Sequence, residues 1–292
     1  MVFLVILVAI FMFTVQTVSF KEFNRTFMKN LSSYYFFNFM YFSVVVFIIL
    51  IINSGPYRVH PATIILASSF GILYTLTILL YMKAMEYGPL SYTTLIFSFG
   101  LLIPIFCGFF LWKEAISLTQ LLGLFLLLAT FYLGNVPSKK LQDKMNLIWF
   151  FYSSAAFMGN GGLMMLYRIH QRIFKGTQIY EFPMIAFGVS AIISILLFLL
   201  RRINKKEGMS HLKSRSFAGL IAAAGISTAV GNLMSLYLAG KIPAIIQYPS
   251  IHGGVVVTGS IVSFFYFKEK PIKRRIAGLI IGLFAIIFIS VK

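Results

Sequence analysis

Apolar residues run along this chain in long unbroken stretches, separated by short polar connectors that hold nearly all of its charge. A helix needs about 20 apolar residues to cross a hydrocarbon core about 30 Å thick. Runs of that size fall at roughly 1–20, 33–53, 62–82, 89–112, 116–136, 146–167, 178–200, 216–239, 243–267 and 275–291. They predict ten transmembrane helices and an all-α membrane protein. The longest connector, about 201–215, has no room for a folded domain. No basic residue precedes the first run, and Lys21, Arg25 and Lys29 follow it. That is the reverse of a cleaved signal peptide, so the run is expected to remain as the first helix.

Composition agrees with the pattern: 59% of residues are hydrophobic and only 11% charged, outside the range of soluble domains. The net charge of +18 does not imply nucleic acid, because Lys and Arg are scattered through connectors instead of gathered on one surface. They are expected to meet anionic lipid headgroups and to set orientation. Of the 25 Lys and Arg, 18 follow odd-numbered spans. The positive-inside rule then puts those connectors in the cytoplasm and both termini outside. Cys107 is the single cysteine and lies inside the fourth span, so no disulfide or thiolate metal site is expected.

FFLWKE at residues 109–114 returns as FFYFKE at 264–269, and Gly123, Leu124 and Leu128 recur at the same offset as Gly278, Leu279 and Leu283. The matched Lys-Glu pairs follow the fourth and the ninth span, so the repeated unit is five helices. A unit with an odd number of crossings, placed twice, has its second copy upside down. The chain therefore reads as two inverted five-helix repeats, 1–136 and 146–292, joined by a linker at 137–145. Lys113 and Lys268 should lie on opposite faces. Within each copy, Lys113 or Lys268 meets the negative end of the helix it follows. Glu114 or Glu269 meets the amide end of the helix after it. A gate or ion site is the other reading of these repeat-marking pairs.

The stretches GPLSYTTLIFSFGLLIPIFCGFFLWKE (88–114) and IIQYPSIHGGVVVTGSIVSFFYFKE (245–269) resemble corresponding parts of the two halves of an EamA-type, ten-helix member of the drug/metabolite transporter superfamily. The resemblance implies a secondary transporter of small organic molecules, often an exporter, with its cavity between the halves and no nucleotide hydrolysis. The chain indeed lacks a GxxxxGK[ST] loop. The resemblance also implies cytoplasmic termini, against the Lys and Arg distribution.

Charge is nearly absent from the spans, and intramembrane ionisable groups tend to mark function. Glu181, before Phe182-Pro183, suits a helix start or a substrate or proton site. His252, in QYPSIHGG, suits packing or proton coupling. In the same stretch Pro249 removes a backbone hydrogen bond, while Gln247 and Tyr248 offer donors and acceptors beside it. In the sixth span Gly159 and Gly162 share a face for tight packing, and Asn160 between them joins helices or faces a cavity. Gln16 lies at a similar depth in the first span, and Asn38 and Asn232 add two more buried amides. Each amide alone reads as glue between helices. Together with Tyr92, the repeat partner of Gln247, they define an expected substrate site: Gln16, Asn38, Tyr92, Asn160, Asn232, Gln247, Tyr248 and His252.

No HExxH, GxSxG, intramembrane aspartate pair or metal-spaced His/Cys cluster occurs, so neither catalysis nor a metal or cofactor is expected. The reading that results is a plasma-membrane secondary transporter, of exporter type, for small polar or zwitterionic metabolites, working by alternating access. The expected partners are that small-molecule metabolite and the lipid bilayer, with a homodimer left open. A proton-coupled organic-cation exporter using Glu181 is the alternative within transport. A lipid-carrier flippase subunit, which would open sideways to lipid, or a non-transporting scaffold is the alternative outside it.

Overall fold

The computed structural model describes residues 1–53, 55, 58–88, 90–135, 146–204, 214–268 and 273–290, with every side chain among them except those of 90–92, 134–135, 204 and 275. The expected linker at 137–145, Glu269 and the side chain of Tyr92 lie outside the described residues. Among those described there is no strand. The helices are α1 (Val2–Thr26), α2 (Leu31–Ile52), α3 (Pro61–Tyr87), α4 (Leu90–Ser98), α5 (Leu102–Trp112), α6 (Leu118–Asn135), α7 (Leu147–Phe174), α8 (Glu181–Asn204), α9 (Arg215–Ala239), α10 (Ala244–Phe265) and α11 (Lys273–Ser290). A 3-10 turn, Phe99–Leu101, joins α4 to α5, and together they form the fourth of the ten expected spans; among the described residues seven helical stretches, Thr93–Trp112 included, are long and apolar enough to cross a membrane.

Helix starts are written in local polar residues. The side chains of Asn30, Asn146 and Ser214 accept from the N–H groups of Ser33, Trp149 and Phe217, and Pro61 takes the first position of α3. Several helices run past the ends that hydropathy suggests. The first continues to Thr26 and α7 continues to Phe174, because Lys and Arg in a last turn favour the helix dipole and keep their charges near the headgroups.

Helix partners obey an exchange of halves. The spans that pack against each other are α6 with α11, α2 with α8, and α1 with α9; the last is mirrored by α7 with α3. Likewise α3 with α8 is mirrored by α9 with α2, and α1 with α10 by α7 with the fourth span. Replacing each span by the one five places away returns each of these pairs, the relation expected between two halves of a duplicated chain.

The exchange reaches individual residues. Lipid chains are as apolar as leucine, so helices in a bilayer are held by close packing, and small residues permit it. Gly71 of α3 lies so close to α8 that a methyl there would overlap the carbonyl oxygen of Ala186. Gly225 of α9 meets α2 in the same way, at Val44 and the carbonyl of Tyr41. Inside, an aromatic core spans α1, α2, α3, α7, α8 and α9, with Phe23 stacked on Phe37 at 4.0 Å and Phe70 on Tyr167 at 4.7 Å. The repeated pairs Phe109-Phe110 and Phe264-Phe265 are exposed.

Gly71→Ala is expected to lower the thermal stability of the detergent-solubilised protein by about 1–3 kcal/mol, the cost of forcing an atom into a packed contact. Gly188→Ala and Gly219→Ala, where the added methyl meets nothing within 4 Å, should stay within about 0.5 kcal/mol of the parent or gain slightly. Equal losses at all three would mean that the helix approach at Gly71 is not the limiting contact.

Candidate functional site

The repeated motif sets up the chemistry at one end of the bundle. Lys113 ends α5 in the left-handed conformation, φ 51°, and Lys268 does the same after α10, φ 53°. The reversal lets the Glu114 N–H return to the carbonyl of Gly108 at 3.0 Å and turns the carboxylate inward. The sequence leads one to expect Glu114 beside Lys113, tending the start of the following helix. The structure differs. At the start of α6, the hydroxyl of Ser117 accepts from Gln120 N–H, and the Gln120 side chain accepts from Ser117 N–H, a reciprocal cap. Glu114 instead crosses to the second half. Its Oε1 accepts from Arg168 and, at 2.7 Å, from Arg172, while Oε2 accepts from the N–H of Ala244 at 2.9 Å. The helix end it serves is therefore that of α10, which begins at Ala244.

These groups are tightly enclosed. The Arg168 side chain is 2% exposed and that of Glu114 10%. Arg168 also donates to the carbonyl of Ile242 at 3.0 Å, and both guanidinium groups stand over the ring of Trp112, at 5.5 and 4.7 Å from its centre. One carboxylate, two arginines, one tryptophan and one helix start thus join the halves. Beside them is a cavity of about 600 Å³, bordered also by Gln171, Lys175, Tyr237 and Lys241.

A second cavity, about 610 Å³, lies at the other end, between α1, α4, α6, α10 and α11. Hydroxyls of Thr17, Thr94, Ser98, Thr130, Ser260 and Ser263 line it, with Lys21 and Phe267. Here Lys21 and Arg25 stand over Phe267, at 4.1 and 5.5 Å. Phe267 is the repeat partner of Trp112, and the two cations are four residues apart in each case. The aromatic-cation arrangement therefore occurs once at each end.

Along α10 the first cavity reaches Pro243 and the second begins at Val255. Most of the side chains singled out in the sequence belong to the septum between them. The Gln16 amide donates to Thr228 at 2.6 Å, and Asn160 to the carbonyl of Phe97 at 2.9 Å, next to the 3-10 turn. Asn232 accepts from Tyr167 at 2.6 Å, Gln247 donates to the carbonyl of Ser235 at 2.7 Å, and Tyr248 donates to the carbonyl of Met164 at 2.8 Å. Gln16 and Asn160 bridge the two halves, whereas the other three bonds stay within the second. Asn38 is buried in α2, and His252 is partly buried on α10. Glu181 opens α8 and is 9% exposed. Neither cavity is lined by any of these residues. α10 remains helical through Pro249, and Gly253 and Gly254 admit Leu127 of α6 and Ile10 of α1. Gly159 and Gly162 face Thr77 and Leu73 of α3.

Arg168 and Arg172 were not among the residues singled out in the sequence, since hydropathy ends the sixth span at 167. The available signal was their spacing, which echoes Lys21 and Arg25 after the first span.

Residues 1–136 match the model of the EamA-like transporter family. No curated protein matches the chain. Among solved structures, one described only as a crystal structure of protein shares the fold, with a TM-score of 0.75 over 99% of this chain and 96% of that one at 11% identity.

Removing one partner of a buried charge cluster strands the others, so Glu114→Ala should cost about 3–5 kcal/mol of stability. Lys113→Ala, on the exposed residue beside it, should cost about 0.5 kcal/mol or less. Unfolding midpoints in one detergent would compare them, and similar losses would show that the two repeat-marking residues do not differ in role.

Proposed function

Because residues 1–136 of this multi-pass membrane protein match the EamA-like transporter family, we propose that it is a secondary transporter of small polar or zwitterionic metabolites, of exporter type and resident in the plasma membrane. The observation that carries the reading is the pair of cavities of similar volume at opposite ends of α10, kept apart by one packed septum. A pore would join them and a scaffold would need neither. Alternating access requires two vestibules and a barrier that opens to one side at a time.

The septum has a property suited to that task. Gln247 Oε1 and Ser250 Oγ are buried without a hydrogen-bond partner among the described residues. Each such group carries a desolvation cost of about 1–3 kcal/mol. A state in which water or substrate reaches them recovers that cost, so rearrangement of the septum is less uphill than in a fully paired core. Gln247, Tyr248 and His252 are accordingly the residues proposed to meet substrate as the barrier opens. The alternative of an organic-cation exporter has less support, because Glu181 borders neither cavity and Glu114 is already engaged by two arginines.

In a Cys107→Ser background, single cysteines at Ile179 and Ser260 sample one cavity each. In vesicles containing a transported metabolite, an impermeant thiol reagent should label the two positions from opposite sides, and substrate should change their rates in opposite directions. Labelling of both from one side, or changes of the same sign, would rule out alternating access. Gln247→Ala should lower uptake about 2–13-fold, the equivalent of one neutral hydrogen bond, with an unfolding midpoint close to the parent. A lower midpoint with unchanged uptake per folded molecule would assign Gln247 to packing alone.

A further inference from the structure

The cavity beside Trp112 has an unusual balance of charge for a membrane interior. Arg168, Arg172, Lys175 and Lys241 border it against the single carboxylate of Glu114. Arg168 is almost wholly enclosed, and two buried polar atoms, its own Nε and Oε1 of Gln171, a residue 2% exposed, find no partner among the described residues. The carboxylate that is present makes every contact expected of a bound organic acid. It takes charge-assisted bonds from two guanidinium groups and one from the first N–H of a helix, whose positive dipole end favours an anion.

We propose that this cavity is a recognition site for small soluble organic carboxylates, and that Glu114 is its built-in occupant. A substrate carboxylate entering the cavity competes with Glu114 for Arg172, Arg168 and the start of α10. Arg172, about 43% exposed, is the point of first contact, with Lys175 and Lys241 drawing the anion in. Displacement of Glu114 removes the ionic tie between the halves at this end, so binding and opening are one event. The substrate's second polar group, a hydroxyl or ammonium, completes Gln171 Oε1. The inference rests on the transporter reading and narrows its substrate class.

The test uses the full-length protein in nanodiscs of zwitterionic lipid, with acetate and succinate as probes and succinamide as the uncharged control. Succinate should raise the unfolding temperature saturably, whereas succinamide and equal ionic strength of chloride should not. Glu114→Gln, which removes the competitor and keeps its shape, should bind succinate about tenfold tighter. Glu114→Ala should be less stable than the parent and regain stability in acetate. The double variant Glu114→Ala, Arg172→Gln should not regain it. Loss of succinate binding in Glu114→Gln, or acetate rescue that persists without Arg172, would overturn the proposal. So would stabilisation produced only by anionic lipid or inorganic phosphate, since the occupant would then be a phosphate. Uptake assays on the same preparation separate the two readings. Transport confined to neutral or cationic metabolites refutes the carboxylate site and leaves the transporter standing. Specific succinate binding with no transport of any solute does the opposite.

Discussion

Inside a hydrocarbon core the hydrophobic effect does not press one helix against another, so the two halves of this bundle are held by shape and by a few polar contacts. Everything else in the structure follows from that constraint. Where backbones approach closely, as Gly71 does α8 and Gly225 does α2, the contact is broad but makes little demand on side-chain chemistry. Where polarity joins the halves, it comes as scattered single bonds, among them Gln16 with Thr228, Thr14 with Thr258, Thr63 with His170, Trp149 with Thr93 and Asn160 with a carbonyl beside the 3-10 turn, and as one charged group, the Glu114 cluster. A bundle tied in this way can hold two arrangements of similar energy, because changing between them exchanges a few contacts and leaves each half intact.

The repeated motif places similar parts at both ends. A left-handed lysine follows an apolar span, and an aromatic ring lies under two cations spaced four residues apart. The copies have also diverged. Tryptophan with two arginines stands at one end, and phenylalanine with a lysine and an arginine at the other. The cavities differ in kind as well: one is bordered by charge, the other by hydroxyl groups. The two ends of the bundle therefore present different chemistry.

The gross architecture was legible in the sequence, since spans of about 20 apolar residues and a 155-residue repeat are one-dimensional signals. The amides were legible as polar groups in apolar surroundings, but the partner each one takes is a matter of three-dimensional neighbours. Gln247 donates to a carbonyl twelve residues away, and Asn160 to one in the other half. Glu114 shows the limit most clearly. Local rules send it to the nearest helix start, yet Ser117 and Gln120 already complete that start, leaving the acid for one 130 residues distant. Arg168 was hidden for a related reason. Hydropathy ends a span at its first cation, whereas the helix carries this one inward to a partner.

The chain holds only two tryptophans, and both stand where the halves meet. Trp112 lies beneath two guanidinium groups, while Trp149, near the start of α7, donates to Thr93 at 2.9 Å and packs tightly against Gly88. Indole emission depends on the charge and water around the ring, so the protein carries an unmodified optical reporter on each side of the membrane. The reporter at Trp112 answers to the loss of nearby positive charge, and the one at Trp149 to the loss of a neutral hydrogen bond. Light emitted by the native chain therefore distinguishes movement at one face from movement at the other, without any attached dye.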